Sequence, residues 1–263
     1  MIRRKKIMPY KFIFIGGLHR SGTSLIHELL SSHPEISGFS KTCVPENEGQ
    51  HLQTVFKPAI AYGGPGHFCL NKDAYMDETH PLVSILSADK IFSEWEKHWN
   101  TNKTYLIEKS PPNIIRTRFL QSLFPESFFI IILRHPIAIA YATKKWTSKT
   151  SISNLIHNAL TCYEKFYEDA AYLNNVHIIH YEQFVTDPQK QLDEITDKLG
   201  IDTLRVKQPV HTNVNEKYFQ LYKQDQDHFF KHHFTSLKNI PKLYEKRLNK
   251  FGYSAMVPGV INV

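Results

Sequence analysis

The sequence predicts an α/β fold in which a central parallel β-sheet is flanked by helices on both faces. Three observations support this prediction: the chain contains several short apolar runs, segments with helical periodicity lie between them, and the first run ends in glycines that lead into a helix. Strands that alternate with helices are typical of parallel sheets. With 263 residues, the chain suits one α/β domain, and we predict a single domain over residues 1–263.

Four segments are predicted as strands. Residues 10–16 (YKFIFIG) form the first, because a short apolar run that ends in glycine is typical of a buried strand. Residues 127–133 (SFFIIIL) are almost continuously apolar, as expected for a parallel strand covered on both faces. Residues 105–109 (YLIEK) and 176–180 (VHIIH) are the two further candidates.

Helices are predicted between these strands. Residues 24–32 form the first, which ends where a proline follows at position 34. Apolar residues recur at helical spacing over residues 152–173, the longest amphipathic stretch of the chain. Asp187 and Pro188, an apolar stripe and then Gly200 give the N-cap, first-turn proline and terminating glycine of another helix.

Two regions carry weaker patterns. Residues 39–102 contain several Gly, Pro and His residues, and we predict loops and helices there on the acceptor side of the sheet. Trp95 and Trp99 lie four residues apart in this region, which favours helix packing over a substrate platform. Residues 201–263 are predicted as a C-terminal helical segment.

The composition restricts the class of protein. A hydrophobic content of 41% is typical of a globular chain, and the net charge of +7 suits an anionic ligand without specifying it. No stretch reaches the roughly 18 apolar residues of a membrane span, and the basic start lacks the apolar run and cleavage site of a signal peptide. We predict a cytoplasmic protein with no membrane or nucleic-acid partner.

Cysteines and histidines predict no metal site. Cys43, Cys69 and Cys162 are too few and too far apart for a disulfide framework or a Cys-rich zinc site, which fits a reduced cytosolic setting. His228 and His232 have the i, i+4 spacing of metal ligands, but no acidic third ligand is adjacent. The missing third ligand favours the interpretation that these are surface histidines.

The first predicted strand leads into a phosphate-binding loop, GLHRSGTS, from Gly17 to Ser24. Two glycines separated by four residues and followed by hydroxyls match the spacing of a P-loop, in which backbone N–H groups and the helix dipole hold an anion. Thr23 stands where the P-loop lysine would follow Gly22, which argues against an ATP or GTP hydrolase. Arg20 places the cation inside the loop instead, beside a shorter anionic group.

A second anion-binding residue is predicted one crossover later. The strand SFFIIIL runs directly into Arg134. Since ligands of open α/β sheets bind at the carboxyl ends of the strands, this guanidinium is expected to face the same crevice as the first loop. It would make a charge-assisted contact with a second phosphate.

These motifs resemble a known family. The segment FIGGLHRSGTSLIHELLSSHP resembles the 5′-phosphosulfate loop of sulfotransferases that use 3′-phosphoadenosine-5′-phosphosulfate (PAPS), and IILRHPIAIAYA resembles their 3′-phosphate motif. VHIIHYEQFVTDPQKQLDEITDKLGI is similar to the strand and helix that follow in the family. The matches keep the family's order across residues 10–200, and the RSGTS form is nearest to the tyrosylprotein and bacterial branches. The resemblance implies a P-loop-kinase-like sulfotransferase fold, PAPS as donor, 3′-phosphoadenosine-5′-phosphate (PAP) as product and no metal.

The resemblance also implies the donor-binding residues. Arg20 and its loop neighbours would hold the 5′-phosphosulfate, and Arg134 the 3′-phosphate. The predicted set is Gly17, His19, Arg20, Ser21, Gly22, Thr23, Ser24, Arg134, Thr143 and Tyr181. The family usually has a serine eight residues after the arginine, where this chain has Ala142. The neighbouring Thr143 is not an automatic substitute, because its side chain points about 100° around the helix axis from position 142. A donor without the 3′-phosphate and a replacement contact from elsewhere both stay open.

The catalytic candidates are Arg20, Lys109, Glu46, Glu48 and His51. Sulfotransferases of the heparan branch carry a similar Glu-Lys-Ser, which implies that Lys109 contacts the sulfuryl group; a salt bridge at the strand end is the alternative. A base must take the acceptor proton. If Pro45 starts a helix, Glu48 and His51 fall on one face and can act as base and orienting partner.

The acceptor is predicted to be a small soluble molecule that receives the sulfuryl group on a hydroxyl or an amine nitrogen. Glu46 and Glu48 beside the donor site favour a cationic acceptor, such as a guanidinium or amine natural product of the saxitoxin type. Two other functions stay open: a P-loop kinase of a small metabolite, and a non-catalytic anion- or nucleotide-binding module. The missing P-loop lysine counts against the first, and Arg20, Arg134 and Lys109 count against the second.

Overall fold

The computed structural model describes residues 9–207, 209–229 and 240–260. Its strands form one parallel sheet in the order β2-β3-β1-β4-β5. The strands are β1 (Lys11–Gly17), β2 (Ile36–Gly38), β3 (Tyr105–Lys109), β4 (Ser127–Leu133) and β5 (Val176–His180). The α-helices are α1 (Thr23–Ser31), α2 (Ile85–Trp95), α3 (Thr117–Leu123), α4 (Pro136–Lys144), α5 (Ile152–Ala170), α6 (Tyr181–Thr186), α7 (Pro188–Leu199), α8 (Glu216–Phe229) and α9 (Ile240–Asn249).

The α/β prediction is confirmed, and the four predicted strands are present. The bounds of β3, β4 and β5 agree with the prediction, and β1 lies one residue later. The sequence analysis missed β2, a strand of three residues that pairs only with β3 at the edge of the sheet. A segment this short contains too few residues to show the period of a strand.

Alternate residues of β1 point to two hydrophobic cores, one on each face of the sheet. Phe12 and Phe14 belong to the core that includes α2 and α5, whereas Ile13 and Ile15 belong to the core that includes α1 and α7. All four side chains are at most 1% exposed. A strand buried on both faces has no polar face, which explains why its sequence is continuously apolar rather than alternating.

Helix signals in the sequence also match the structure. The side chain of Asp187 accepts a hydrogen bond from the backbone N–H of Lys190 at the start of α7, and Gly200 ends the helix with a φ of 70°. Trp95 ends α2 and Trp99 follows it, and both rings are buried against Phe12, Phe39 and their neighbours. The packing interpretation of the two tryptophans is therefore confirmed.

The expectation that the cysteines lie too far apart for a disulfide is wrong for one pair. Cys69 and Cys162 are 93 residues apart in sequence, yet their Cα atoms are 5.3 Å apart and the residues form a disulfide. The chain returns to the acceptor-side region through α5, which carries Cys162. Cys43 is free and exposed.

Candidate active site

Three strand ends meet at one edge of the sheet. Because β1 lies between β3 and β4 and all three are parallel, their carboxyl ends are neighbours: Ile15 pairs with Lys109, and Gly17 pairs with Ile132. The phosphate-binding loop, Lys109 and Arg134 therefore lie at the carboxyl ends of adjacent strands. This is the edge at which open α/β sheets bind their ligands.

The phosphate-binding loop has a backbone shape that depends on glycine. Gly22 has a φ of 103°, and a Cβ at this position would lie 2.7 Å from a ring carbon of Tyr181. Arg20 adopts a φ of 72°, a conformation that is uncommon for residues other than glycine and that often occurs at functional sites. The loop is thus held in one shape by its own turn and by the Tyr181 ring packed against it.

The loop leaves polar groups available to a ligand. Gly22 is the N-cap of α1 and has no side chain to accept from the first N–H groups of the helix. These groups and the positive end of the helix dipole suit an anion. The hydroxyl of Ser21 and Nδ1 of His19 are buried, and neither has a hydrogen-bond partner in the described part of the chain. Burial, followed by the charges of Lys109 and His51, lowers the pKa of His19 to about 4, so its ring is neutral at pH 7.

Arg134 is buried at the end of β4, with 4% of its surface exposed. Its Nε and Nη2 donate to Oδ1 of Asn215 at 2.8 and 2.7 Å, and its Nη1 donates to the backbone oxygen of Arg20. Its guanidinium carbon lies 4.3 Å from the centre of the Tyr181 ring. Arg134 thus connects the loop after β4 to the phosphate-binding loop.

The charge of Arg134 is not neutralised by these contacts. In the described part of the chain, the groups recorded as accepting hydrogen bonds from its guanidinium are a neutral amide and a backbone carbonyl. Burial lowers the pKa of Arg134 because the charged form loses hydration. A buried guanidinium without a direct carboxylate partner is a strong site for an anion such as a phosphate.

A buried salt bridge lies at the end of β3. The ammonium group of Lys109 is 3.3 Å from Oε1 of Glu48 and donates to the backbone oxygen of Glu46 at 2.8 Å. Lys109 and Glu48 are 1% and 6% exposed. Oε2 of Glu48 accepts from the side-chain amide of Gln50, and Nε2 of His51 lies 3.9 Å from the same oxygen. Glu48, His51 and Lys109 therefore form one cluster.

The helix predicted to bring Glu48 and His51 together does not exist. Pro45–Asn47 and Gly49–His51 are separate 3₁₀ turns, and Glu48 between them is extended, with a φ of −84° and a ψ of 126°. The chain leaves the helical region because Glu46 and Asn47 have φ values of 52° and 50°. The pair forms across two turns instead of along one helix face.

Glu46 lies nearer to the solvent. Its carboxylate accepts from the hydroxyl of Ser24 at 3.3 Å, and the side chain is exposed. Glu46 thus connects the acceptor-side segment to the start of α1, while Glu48 lies deeper, beside Lys109.

Sequence reasoning missed Glu108, the residue that anchors this segment. Its buried carboxylate accepts from the backbone N–H of Gly49 at 3.0 Å, from the hydroxyl of Ser110 at 2.5 Å and from the amide of Asn113 at 2.5 Å. Burial raises the pKa of Glu108 to about 7 against the opposing effect of these bonds. A carboxylate inside a buried strand is itself a signal, since acids are rarely buried without partners.

Asn215, the partner of Arg134, was also missed. It precedes α8 and lies 81 residues from the arginine in sequence. Its signal is weak, because an asparagine before a helix is most often a cap.

Among the described residues, no hydrogen bond joins the side chain of Thr143 to that of Arg134. The hydroxyl of Thr143 is buried and has no hydrogen-bond partner within the residues that the structure describes, and its methyl group would be 3.6 Å from a Cβ placed on Gly66. Thr143 as a donor-binding residue stays a prediction.

The described residues contain no group of three or more His, Cys, Asp or Glu side chains arranged to hold a metal ion. The side chain of His228 and the whole of His232 lie outside the described part of the chain. In that same part, no helix is both long and apolar enough to cross a membrane.

The fold and site define an α/β protein that has a glycine-containing loop with the spacing of a P-loop between its first strand and first helix. The family follows from comparison: a model of the sulfotransferase family matches residues 12–205. Because this match covers more than half of the chain, the protein belongs to the sulfotransferase family.

Individual relatives agree with this assignment. The chain is 28% identical to protein-tyrosine sulfotransferase 2 of Gallus gallus, over 76% of this chain and 53% of that protein. It is 24% identical to nodulation protein NoeE of Sinorhizobium fredii, over 75% of this chain and 52% of that protein. The chain thus spans about half the length of these relatives. Sulfotransferase STF9 from Mycobacterium avium has a similar fold, with a TM-score of 0.52 and 12% identity over 94% of this chain and 78% of that one.

Proposed function

We propose that this protein transfers the sulfuryl group of PAPS to a hydroxyl or amine nitrogen of an acceptor. The observation that carries the proposal is the pair of anion-binding residues at one edge of the sheet. Arg20 belongs to the phosphate-binding loop, and Arg134 lies against that loop with only neutral hydrogen-bond acceptors recorded in the described residues. A donor that carries one phosphate on the 3′ position of its ribose and another on the 5′ position matches two such residues.

The residues present fit this donor. The loop from Gly17 to Ser24, with its free helix N-terminus and the unpartnered hydroxyl of Ser21, would hold the 5′-phosphosulfate. Arg134 would hold the 3′-phosphate. The donor supplies the sulfuryl group, and its 5′-phosphate departs with the electrons of the broken S–O bond. Arg20 and the N–H groups of the loop would stabilise the charge on that phosphate.

Glu48 is the best candidate for the base. It is buried and forms a salt bridge with Lys109, which holds its carboxylate in place beside the end of β3. It would take the proton from the acceptor oxygen or nitrogen as that atom bonds to sulfur. Lys109 would contact the sulfuryl oxygens from the same position. His51, at 3.9 Å, would orient the carboxylate.

Binding measurements test the donor and separate the rival functions. Calorimetric titration with PAP, with ATP and Mg²⁺ and with heparin fragments should show binding of PAP alone. Tight binding of ATP with Mg²⁺ would favour a small-metabolite kinase and contradict the proposal. Binding of PAP without turnover of PAPS across a wide set of acceptors would favour a non-catalytic module.

We further propose a small soluble acceptor with a cationic group, such as a guanidinium or amine of the saxitoxin type. Two acids support it: Glu46 is exposed at the rim and Glu48 lies deeper in the same segment. Screening acceptors with labelled PAPS tests the idea, and a preference for neutral phenols would reject it.

The cytoplasmic location also stays a prediction. The Cys69–Cys162 disulfide bears against a reduced setting. Thiol labelling of protein taken directly from cells measures whether Cys69 and Cys162 are reduced or joined. Labelling of both thiols would support a cytoplasmic location, and resistance of both to labelling would oppose it.

A further inference from the structure

Asn215 lies between two groups of opposite charge, the buried Arg134 and the partly buried Glu182. Its Oδ1 accepts from Nε and Nη2 of Arg134, and its Nδ2 donates to Oε1 of Glu182 at 2.7 Å. Asn215 itself is 8% exposed. The amide oxygen of Asn215 therefore contacts the guanidinium, and its amide nitrogen contacts the carboxylate. The side chain of Asn215 thus lies between Arg134 and Glu182.

Glu182 has its own set of partners. Its Oε1 also accepts from the backbone N–H of His135 at 2.8 Å, and its Oε2 accepts from the hydroxyl of Tyr253 at 3.3 Å. These bonds fix the carboxylate beside the loop after β4. Without Asn215, this carboxylate would be the nearest acid able to reach Arg134, and a direct ion pair would neutralise the guanidinium.

The contacts of Asn215 also fix the orientation of Arg134. A guanidinium has five N–H groups, and the three recorded bonds to Asn215 and to the backbone of Arg20 leave two for a ligand. The Tyr181 ring covers one face of the group. An arginine held by bonds on two sides loses less conformational freedom when an anion binds.

We propose that Asn215 is a positioning residue that sets the preference of this enzyme for a nucleotide with a 3′-phosphate. It orients Arg134 and keeps Glu182 from neutralising it, so that the guanidinium keeps its charge for the phosphate. The inference rests on the proposed donor. It also accounts for Ala142, since an arginine fixed in this way needs no helix hydroxyl to hold the phosphate in place.

The test compares two nucleotides that differ only in the 3′-phosphate. The affinities for PAP and for adenosine 5′-monophosphate are measured by calorimetry, and their ratio is the readout. In the double variant Asn215→Asp/Glu182→Gln, the negative charge moves from position 182 to the residue that contacts Arg134, while the net charge stays constant. We expect this ratio to fall by about tenfold or more, with the monophosphate affinity unchanged.

The single variant Glu182→Gln is the control, because it keeps the neutral amide on Arg134, and it should keep the wild-type ratio. Asn215→Ala removes the orienting acceptor without adding charge and should also lower the ratio. If the double variant does not fold, as judged by thermal unfolding, Asn215→Ala decides the question.

The outcomes separate this inference from the proposed function. A wild-type protein that binds PAP no better than the monophosphate would overturn the proposed donor and this inference with it. A wild-type protein that prefers PAP, together with an unchanged ratio in folded Asn215 variants, would overturn only the role of Asn215.

Discussion

The two sides of the site are built in different ways. The donor side follows from regular elements: β1 runs into a glycine loop and α1, and β4 runs into Arg134. The acceptor side, within residues 39–102, consists mostly of short 3₁₀ turns and has α2 as its one α-helix. Turns of this kind satisfy few of their own backbone groups, so the partners must come from elsewhere.

Buried side chains supply those partners. Glu108 accepts from the backbone of Gly49, and Trp95 donates to the carbonyl of the same residue at 2.9 Å. Arg116, which is fully buried, donates to the carbonyls of Lys57 and Ala74 at 3.1 and 3.2 Å. The donor side therefore depends on backbone conformation, whereas the acceptor side depends on a few buried polar anchors. Donor-side substitutions should therefore weaken nucleotide binding, whereas acceptor-side substitutions should leave it unchanged.

The largest effect is expected from Glu48→Gln. This change removes the base but keeps the shape of the side chain, so kcat should fall by about 10²–10⁴-fold while the affinity for PAP stays the same. Steady-state kinetics and calorimetry measure the two quantities. Glu46→Gln is the comparison, and its smaller expected loss reflects its exposed position. The loss of kcat in His51→Ala should lie between the losses in Glu48→Gln and Glu46→Gln. Full turnover by Glu48→Gln would reject the assignment of Glu48 as the base.

Arg116→Met tests the anchors of the acceptor side. The substitution leaves two buried carbonyls without their charged donor, and we expect the free energy of unfolding to fall by about 3 kcal/mol. Burial lowers the pKa of Arg116 to about 10, because its charged form loses hydration in the folded protein. Methionine does not carry this cost, which offsets part of the expected loss of stability. Denaturant unfolding measures the change, with exposed Arg205→Met as control. The folded variant should bind PAP normally, and weakened binding would contradict the separation of the two sides.

Gly22→Ala tests the donor side. The new Cβ would lie 2.7 Å from Tyr181 at a φ of 103°, so the loop must move. We expect PAP affinity to fall by about tenfold and stability by about 1–3 kcal/mol. Gly200→Ala is the matched control: its φ is 70°, but nothing lies within 4 Å of its Cβ. It should cost about 1 kcal/mol and leave PAP binding unchanged. Equal PAP affinities in the two variants would show that the loop tolerates the clash.

The smallest effect is a pair of opposite pH dependences. Burial lowers the pKa of His135, beside Arg134, to about 3 from 6.5, so its contribution to stability is present above pH 6.5 and is lost as the pH falls toward 3. The pKa of Glu108 is raised to about 7 from 4.5, so its contribution is present below pH 4.5 and is lost as the pH rises through 7.

Between pH 4.5 and 6.5 the two slopes oppose each other. Stability should therefore rise more steeply with pH in Glu108→Gln than in the wild type, and less steeply in His135→Asn. Each slope should change by up to about 1.4 kcal/mol per pH unit. Urea unfolding at several pH values measures these slopes, and changes of the same sign in both variants would contradict the assignment.

The sequence by itself determined the parts of the molecule that follow local rules. Apolar runs gave β1, β3, β4 and β5, and Gly22 with its neighbours gave the loop. These features depend on backbone conformation and burial over a few residues, which a short window of sequence records. The resemblance to the sulfotransferase family rests on the same local motifs, and the match of the family model over residues 12–205 agrees with it.

Only the tertiary structure decided which distant residues meet. Arg134 and Asn215 are 81 residues apart, Lys109 and Glu48 are 61 apart, and Cys69 and Cys162 are 93 apart. Each pair depends on the order of the strands and on the turns between them, such as the left-handed residues that prevent a helix at Glu48. Side-chain type limits which partners a residue can accept, but the packing of the whole chain selects among them.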